Sequence, residues 1–216
     1  SVISTISSSL KIKKEMNILD DKEFYEALQS INRTSQHLSN TIDDFRNFFS
    51  PNKEMNKFYV SQLIKKSKDL IKSRFDKFNI KVIEHIDDIE ILSYQNELFQ
   101  VILNLFSNSI DVLSSNEIED KIIHIKIYQD ENNLCIEFLD NGGGIKDEFI
   151  NRVFEPYFTT KHKSQGTGIG LYMSLQIVTK HLNGEISVKN DTFIENNIAY
   201  FGAKFTILLP IHPKNS

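Results

Sequence analysis

The chain has 216 residues, 40 % of them hydrophobic and 25 % charged, with a net charge of −4 and a single cysteine. That length and apolar content allow one substantial domain and a smaller element, while the acidic balance leaves no electrostatic footprint for nucleic acid. Cys135 alone excludes an internal disulfide and suits a reducing cytosol; no stretch reaches the ~20 apolar residues of a membrane span, and no secretory signal is visible.

In chain order, Ile3, Ile6 and Leu10 place an apolar stripe on a first helix, and turn and cap residues fill Asn17 to Asp21. From Lys22 to Ser50 the residues Phe24, Leu28, Ile31, Ser35, Leu38, Ile42, Phe45 and Phe49 alternate at spacings of four and three, a seam that wants a partner helix. Pro51 ends it. Such a hairpin buries little alone, whereas two copies make a four-helix bundle. His37, off the seam, reads as a surface residue.

A short strand near Phe58–Val60 then leads to a helix from Ser61 to about Lys77, with strands near Asn79–His85 and Ile89–Ser93. A long helix follows over Asn96–Ser115. Two alternating runs, Lys121–Gln129 and Asn133–Asp140, read as a hairpin closed at Asp130-Glu131-Asn132. Beyond a loop, a helix runs to Leu182, Asn183-Gly184 turns the chain, and strands occupy Glu185–Lys189 and Ile198–Leu209. Helices on one face of a mixed sheet make an α+β sandwich. His85 and His124 read as half-exposed strand residues, and no histidine pair has metal-ligand spacing for structural zinc.

Two clusters hold six of the eight glycines: Asp140-Asn-Gly142-Gly-Gly144 and Gly166-Thr-Gly168-Ile-Gly170-Leu171. Glycine concentrated this way marks positive φ or close backbone approach, and the second cluster feeds a helix N-terminus, which favours an anion. A plain surface turn is the bland alternative for either cluster alone. The long helix raises the odds. It is apolar on most sides, yet Glu97, Gln100, Asn104, Asn108, Asp111 and Ser115 share one narrow strip. A solvated face explains such a strip in a generic helix, but two asparagines four apart are poor helix formers, and amide oxygens suit a magnesium ion that bridges phosphates.

In order and spacing, Asn104-Leu-Phe-Ser-Asn108-Ser-Ile-Asp111, Asp140-Asn-Gly-Gly-Gly-Ile145, Phe154-Glu-Pro-Tyr-Phe-Thr-Thr-Lys161 and Gly166-Thr-Gly-Ile-Gly-Leu171 resemble the N, first glycine, F and second glycine boxes of bacterial sensor histidine kinases. Phe201 to Pro210 is similar to the closing strand of their ATP-binding domain. The resemblance implies a GHKL-type, Bergerat ATP-binding fold over 51–216, preceded by a dimerisation and histidine-phosphotransfer hairpin over 1–50. It implies ATP and Mg2+ as cofactors, with Asn108 the metal ligand and Asn104 a polar contact nearby. Asp140 would accept the adenine amino group, Gly142 and Gly144 would let backbone approach the base, and Gly166, Gly168 and Gly170 would cradle phosphates. Phe154 and Phe158 would anchor a lid carrying Lys161. Asp111, Ile145, Thr167 and Leu171 complete the implied ATP-contacting set. Ser109 stands where the family has alanine.

The same resemblance implies a kinase. Gyrase, MutL and the related chaperones carry glutamate at the position of Asn104, where it activates water; an amide cannot take that proton, so the γ-phosphoryl is kept for another acceptor. That acceptor would be a histidine early on the first helix, and from it an aspartate of a response regulator receiver domain. No such histidine box occurs here; the first helix is about ten residues shorter than the second, so the expectation is a fragment with its phospho-acceptor upstream of Ser1 and no autophosphorylation of its own. The expected protein is a cytoplasmic homodimer, any membrane sensor lying upstream. The rival expectations are a non-catalytic nucleotide-binding scaffold and a related ATPase or serine kinase.

Overall fold

The computed structural model describes residues 2–32, 35, 54–160 and 167–211. The chain forms two compact units, one built on the N-terminal helices and one comprising Asn52–Phe158 and Gly168–Ser216.

In the first unit, α1 (Val2–Glu15) and α2 (residues 21–32) flank a turn in which Asn17 takes a left-handed φ of 54°. Asp20 caps α2: its Oδ1 accepts from the Glu23 N–H at 2.7 Å, satisfying one of the donors a helix start leaves free. An ion pair between Lys13 and Glu23 ties the two helices. Phe24 and Leu28, the first seam positions, are 39 % and 41 % exposed. Leu38, Ile42, Phe45 and Phe49 of that seam, and His37, lie outside the described residues.

In the second unit, β1 (Asn56–Tyr59) pairs antiparallel with β3 (Glu90–Ser93). The main sheet has the order β2-β4-β5-β7-β6, from β2 (Ile80–Ile86), β4 (Lys121–Asp130), β5 (Asn133–Asp140), β6 (Glu185–Glu195) and β7 (Ile198–Pro210). Only β2 and β4 run parallel, and the crossover between them contains α4 (Gln95–Ser115). The α3 helix (Val60–Phe78) packs beside α4 and ends where Asn79 turns left-handed at φ 53°.

Strand alternation directs Ile123, Ile125 and Ile127, then Leu134, Ile136 and Phe138, then Phe205, Ile207 and Leu209 into the core against Leu98, Val101, Leu105 and Phe106 of α4. Three rings bind the layers: Phe106 lies edge-on to Phe75 of α3 at 5.4 Å and to Phe138 of β5 at 5.0 Å. The mixed sheet with covering helices is the α+β sandwich read from the sequence.

Two elements differ from expectation. β6 does not stop at Lys189 but continues to Glu195, because Asn196 and Asn197 both adopt positive φ, 49° and 63°, and close a tight hairpin. The extended hairpin carries Phe193 to the His124 ring at 5.3 Å, and His124 lies 5.0 Å from His85. Both are strand residues, His124 half-exposed and His85 exposed, and their rings pack against each other at a tilt. The helix expected to reach Leu182 is α6 (Gly170–Gln176) followed by a π-helical turn over Ile177–His181. There the His181 Nδ1 meets Glu97 Oε1 of α4 at 2.9 Å, a contact between helices that sequence periodicity does not contain.

Candidate nucleotide site

The polar strip of α4 divides along its length. At its start Glu97 meets His181, and near its end Asp111 accepts from the Arg74 guanidinium of α3 at 2.8 Å, the same group donating to Ser107 Oγ at 3.1 Å. Asp111, expected among the nucleotide contacts, is thus tied to α3. Between them lie the two asparagines. Asn104 Nδ2 donates to the Gly170 carbonyl at 3.2 Å and to Ser174 Oγ at 3.3 Å, joining α4 to the first turn of α6. Asn108, one helical turn on and half-buried, has no side-chain hydrogen bond among the described residues.

Across from them, β5 ends at Asp140, only 4 % exposed. Its Oδ1 accepts the Gly142 N–H at 2.9 Å and its Oδ2 the Ser109 hydroxyl at 3.2 Å, and the Ala203 N–H of β7 also donates to the carboxylate. Burial pushes the carboxyl above its ordinary range, against the opposing pull of these three donors. The strand end is fixed because Gly202 leaves no room: a Cβ there would stand 1.8 Å from the Asp140 carbonyl oxygen. Gly202 is thus a close-approach position.

The loop after Asp140 is held from four sides. Asn141 Oδ1 accepts from Ile122 N at 2.8 Å and its Nδ2 donates to the Asp120 carbonyl at 2.6 Å, while Asn116 Nδ2 donates to the Gly142 carbonyl at 2.8 Å. Gly143 N–H bonds the Phe201 carbonyl at 3.3 Å. Asn190 of β6 grips Ile145, its Nδ2 donating to the carbonyl at 2.7 Å and its Oδ1 accepting the N–H at 2.8 Å. The glycines answer to this crowding. A Cβ on Gly142 would be 2.2 Å from Val112 Cγ1, and one on Gly144, at φ 79°, 2.7 Å from Asn190 Oδ1. Gly142 thus answers to close approach by protein atoms, and Gly144 both to that and to the positive φ that the sequence reading also offered.

At the other margin the chain leaves at Phe158 and returns at Gly168. Tyr157 N–H donates to the Gly168 carbonyl at 3.0 Å, and Gly168, at φ 66°, stands where a Cβ would meet the Tyr157 carbonyl carbon at 2.4 Å. Phe158 packs on Phe149 of the short helix α5 (Asp147–Ile150) at 5.6 Å, with the Arg152 guanidinium 4.6 Å from its ring, and Phe154 meets Phe205 edge-on at 6.4 Å. Lys161 and Gly166 lie outside the described residues, and Thr167 belongs to the other unit. Gly170 begins α6 with Leu171 after it; a Cβ on Gly170 would find its nearest neighbour, Asn104, at 3.8 Å.

Asn104, Asn108, Asp140, Gly142, Gly144, Ile145, Phe158, Gly168, Gly170 and Leu171 thus all belong to one unit, on α4, the end of β5 and the loop after it, the segment after α5, and the segment entering and starting α6. Asn190, Asn116, Asn141, Ser174 and Ala203 also build it, joined to it by contacts between distant elements that helix and strand periodicity do not contain. A buried carboxylate ringed by donors suits a base bearing an amine, and an amide with no side-chain partner among the described residues suits a hydrated cation beside phosphates. The residues present fit a magnesium nucleotide.

Residues 93–213 match the family model of histidine kinase-, DNA gyrase B-, and HSP90-like ATPases. The chain is 32 % identical over 155 residues to sporulation kinase E of Bacillus subtilis (strain 168), covering 71 % of this chain and 19 % of that protein. It is 29 % identical over 160 residues to the signal transduction histidine-protein kinase AtoS of Escherichia coli (strain K12), covering 73 % and 24 %. The chain therefore spans about a fifth to a quarter of the length of these relatives. The nucleotide-free catalytic domain of histidine kinase ThkA superimposes with a TM-score of 0.61 at 25 % identity, over 74 % of this chain and 97 % of that one. ThkA in complex with response regulator protein TrrA shares the fold at a TM-score of 0.72 and 22 % identity, over 98 % and 58 %. With more than half of its residues inside the family model, the chain belongs to the histidine kinase-, DNA gyrase B-, and HSP90-like ATPases, and its relatives there are sensor histidine kinases.

Proposed function

We propose that this chain is the ATP-binding and phosphoryl-donating core of a sensor histidine kinase, delivering the γ-phosphoryl of Mg-ATP to a histidine and thence to a response regulator aspartate. The observation that carries the reading is Asn104. Its amide is committed as a donor to the Gly170 carbonyl and Ser174 hydroxyl, and offers no atom that can take a proton from water. Hydrolysis is then slow and the phosphoryl group is preserved for transfer.

In this reading Asp140 accepts the exocyclic amine of adenine, and Asn190, Asn116 and Gly202 hold the loop and strand end that position it. Asn108 is the residue that would hold magnesium, which would supply positive charge to offset that of the phosphates. Gly168 and Gly170 would present backbone to those phosphates, and Gly166, Lys161 and Thr167 are proposed as further nucleotide contacts, the first two lying outside the described residues. The partly exposed Phe24 and Leu28 support a second copy of the hairpin as the dimer partner. A response regulator as partner is supported by ThkA, whose solved structure contains one.

Calorimetry with ADP, with and without magnesium, tests the site. Asn108→Ala removes the magnesium-dependent part of the affinity and Asp140→Ala weakens binding at least tenfold, on the order of one lost charge-assisted hydrogen bond. Unchanged affinity in both variants sinks the assignment. The reaction is tested with γ-labelled ATP and a supplied hairpin bearing the histidine box: acid-labile label on that histidine is expected, whereas free phosphate released without label would move the protein to the hydrolases.

A further inference from the structure

We infer that Ser109 is a positioning residue for adenine recognition: its buried hydroxyl fixes the plane of the Asp140 carboxylate so that one acceptor faces the base. The inference rests on the proposed reading of Asp140 as the adenine-binding group.

Ser109 is 2 % exposed, on the side of α4 where Leu105, Phe106, Ile110 and Leu113 are all at 0–1 %. A hydroxyl there must find a partner, since an orphaned one is destabilising. Helix serines ordinarily satisfy themselves by back-bonding to the carbonyl four residues earlier, and the other two buried to this degree do so: Ser67 to Leu63 at 2.8 Å and Ser174 to Gly170 at 3.1 Å. Ser109 instead reaches out of its helix to Asp140 Oδ2 at 3.2 Å.

The consequence is geometric. An aspartate's terminal torsion is broad and two-fold, so a carboxylate held at one oxygen still swings. Gly142 N–H holds Oδ1 at 2.9 Å, and Ser109 holds Oδ2. With both oxygens engaged from different elements, the plane is set before a ligand arrives, and the three donors, Gly142, Ser109 and Ala203, leave one lone pair of the carboxylate for it. Preorganisation of this kind reduces the ordering that binding would otherwise require. Alanine at this position gives the same helix and a similar volume, but leaves the carboxylate on its own loop and β7 donors.

The test compares ADP with purine-riboside 5′-diphosphate, which lacks the exocyclic amine, on the full chain by calorimetry. Ser109→Ala is expected to weaken ADP about tenfold, the scale of a hydrogen bond to a charged group, and the amine-free nucleotide much less, so the preference between them narrows. Ser109→Thr keeps the hydroxyl and is expected to restore most of the preference. Unchanged ADP affinity in Ser109→Ala, or equal loss for both nucleotides, overturns the inference, the second outcome meaning a packing role alone. Asp140→Ala run alongside separates the failures: if it leaves ADP affinity intact, the adenine reading itself falls, whatever Ser109 does.

Discussion

Asn190 and Ile145 form a two-bond clasp between β6 and the glycine loop, the side-chain amide of one mimicking a neighbouring strand for the backbone of the other at 2.7 and 2.8 Å. A glycine-rich loop has high conformational freedom, and one of the groups that hold this one is a residue 45 positions later. Asn190→Ala should therefore remove about 1–3 kcal/mol of stability, the sum of two ordinary hydrogen bonds, and weaken ADP by roughly tenfold because the loop that carries Asp140 loosens. Asn190→Asp keeps the acceptor and loses the donor, so it should fall between. Denaturant titration and calorimetry measure the two effects; an alanine variant with unaltered affinity would show that the clasp serves the fold alone.

Two glycines that look alike in the sequence should respond oppositely to alanine. At Gly202 a Cβ would collide with the Asp140 backbone oxygen at 1.8 Å, and neither strand can retreat without breaking the β5–β7 pairing. Gly202→Ala should cost several kcal/mol, beyond the ~1–3 typical of overpacking, and abolish nucleotide binding with it. At Gly170 the nearest neighbour is 3.8 Å away, so alanine should fit, and by helix propensity stabilise α6 by up to about 1 kcal/mol. Any loss of ADP affinity in Gly170→Ala is then a ligand effect, readable because the melting temperature does not fall.

The contrast explains what was legible in the sequence. Strand alternation and helical periodicity are local, so β5 was read over its observed residues and α4 to within one, and the motif residues were found because their spacing is itself local. The partners that hold those residues are not: Ser109 to Asp140, Asn116 to Gly142, Arg74 to Asp111 and Asn190 to Ile145 join positions brought together only by the tertiary packing of helices and sheet. Asp111 shares a strip with Asn104 and Asn108 on a helical wheel, and its ion pair with Arg74 of α3 is a contact that the wheel does not contain. The length of β6 was missed for a different reason, since two consecutive asparagines at positive φ are a permissive rather than a decisive turn signal.

On the sheet face away from the helices, Asp191 lies between two lysines, Lys204 and Lys189, each 3.0 Å from its Oδ2. Hydrogen bonds from Lys204 and then Lys189, with the Thr192 N–H, hold its carboxyl down to about 2, from 3.8. A depressed folded-state value means that its contribution to stability is present above the unfolded value of 3.8 and is lost as pH falls through about 2. Asp191→Asn should accordingly melt below the parent protein at about pH 6, with the gap closing on acidification toward pH ~2. A gap independent of pH would mean that the asparagine perturbs packing rather than charge.

Asn104 offers the sharpest separation of folding from chemistry. Its Nδ2 bond to the Gly170 carbonyl is duplicated by Ser174 Oγ, which donates to the same oxygen at 3.1 Å. Asn104→Ala therefore leaves that carbonyl satisfied, and stability should change by no more than about 1 kcal/mol. Phosphoryl transfer to a supplied histidine hairpin should nevertheless fall by two orders of magnitude or so, as when one preorganised polar group beside developing charge is deleted. Asn104→Asp is the more discriminating variant, because it installs a proton acceptor at the same length. If the amide is what suppresses hydrolysis, phosphate release by the aspartate variant should rise above that of the parent even as transfer declines; a variant that neither transfers nor hydrolyses would show that the position matters for placement and not for the choice between water and histidine.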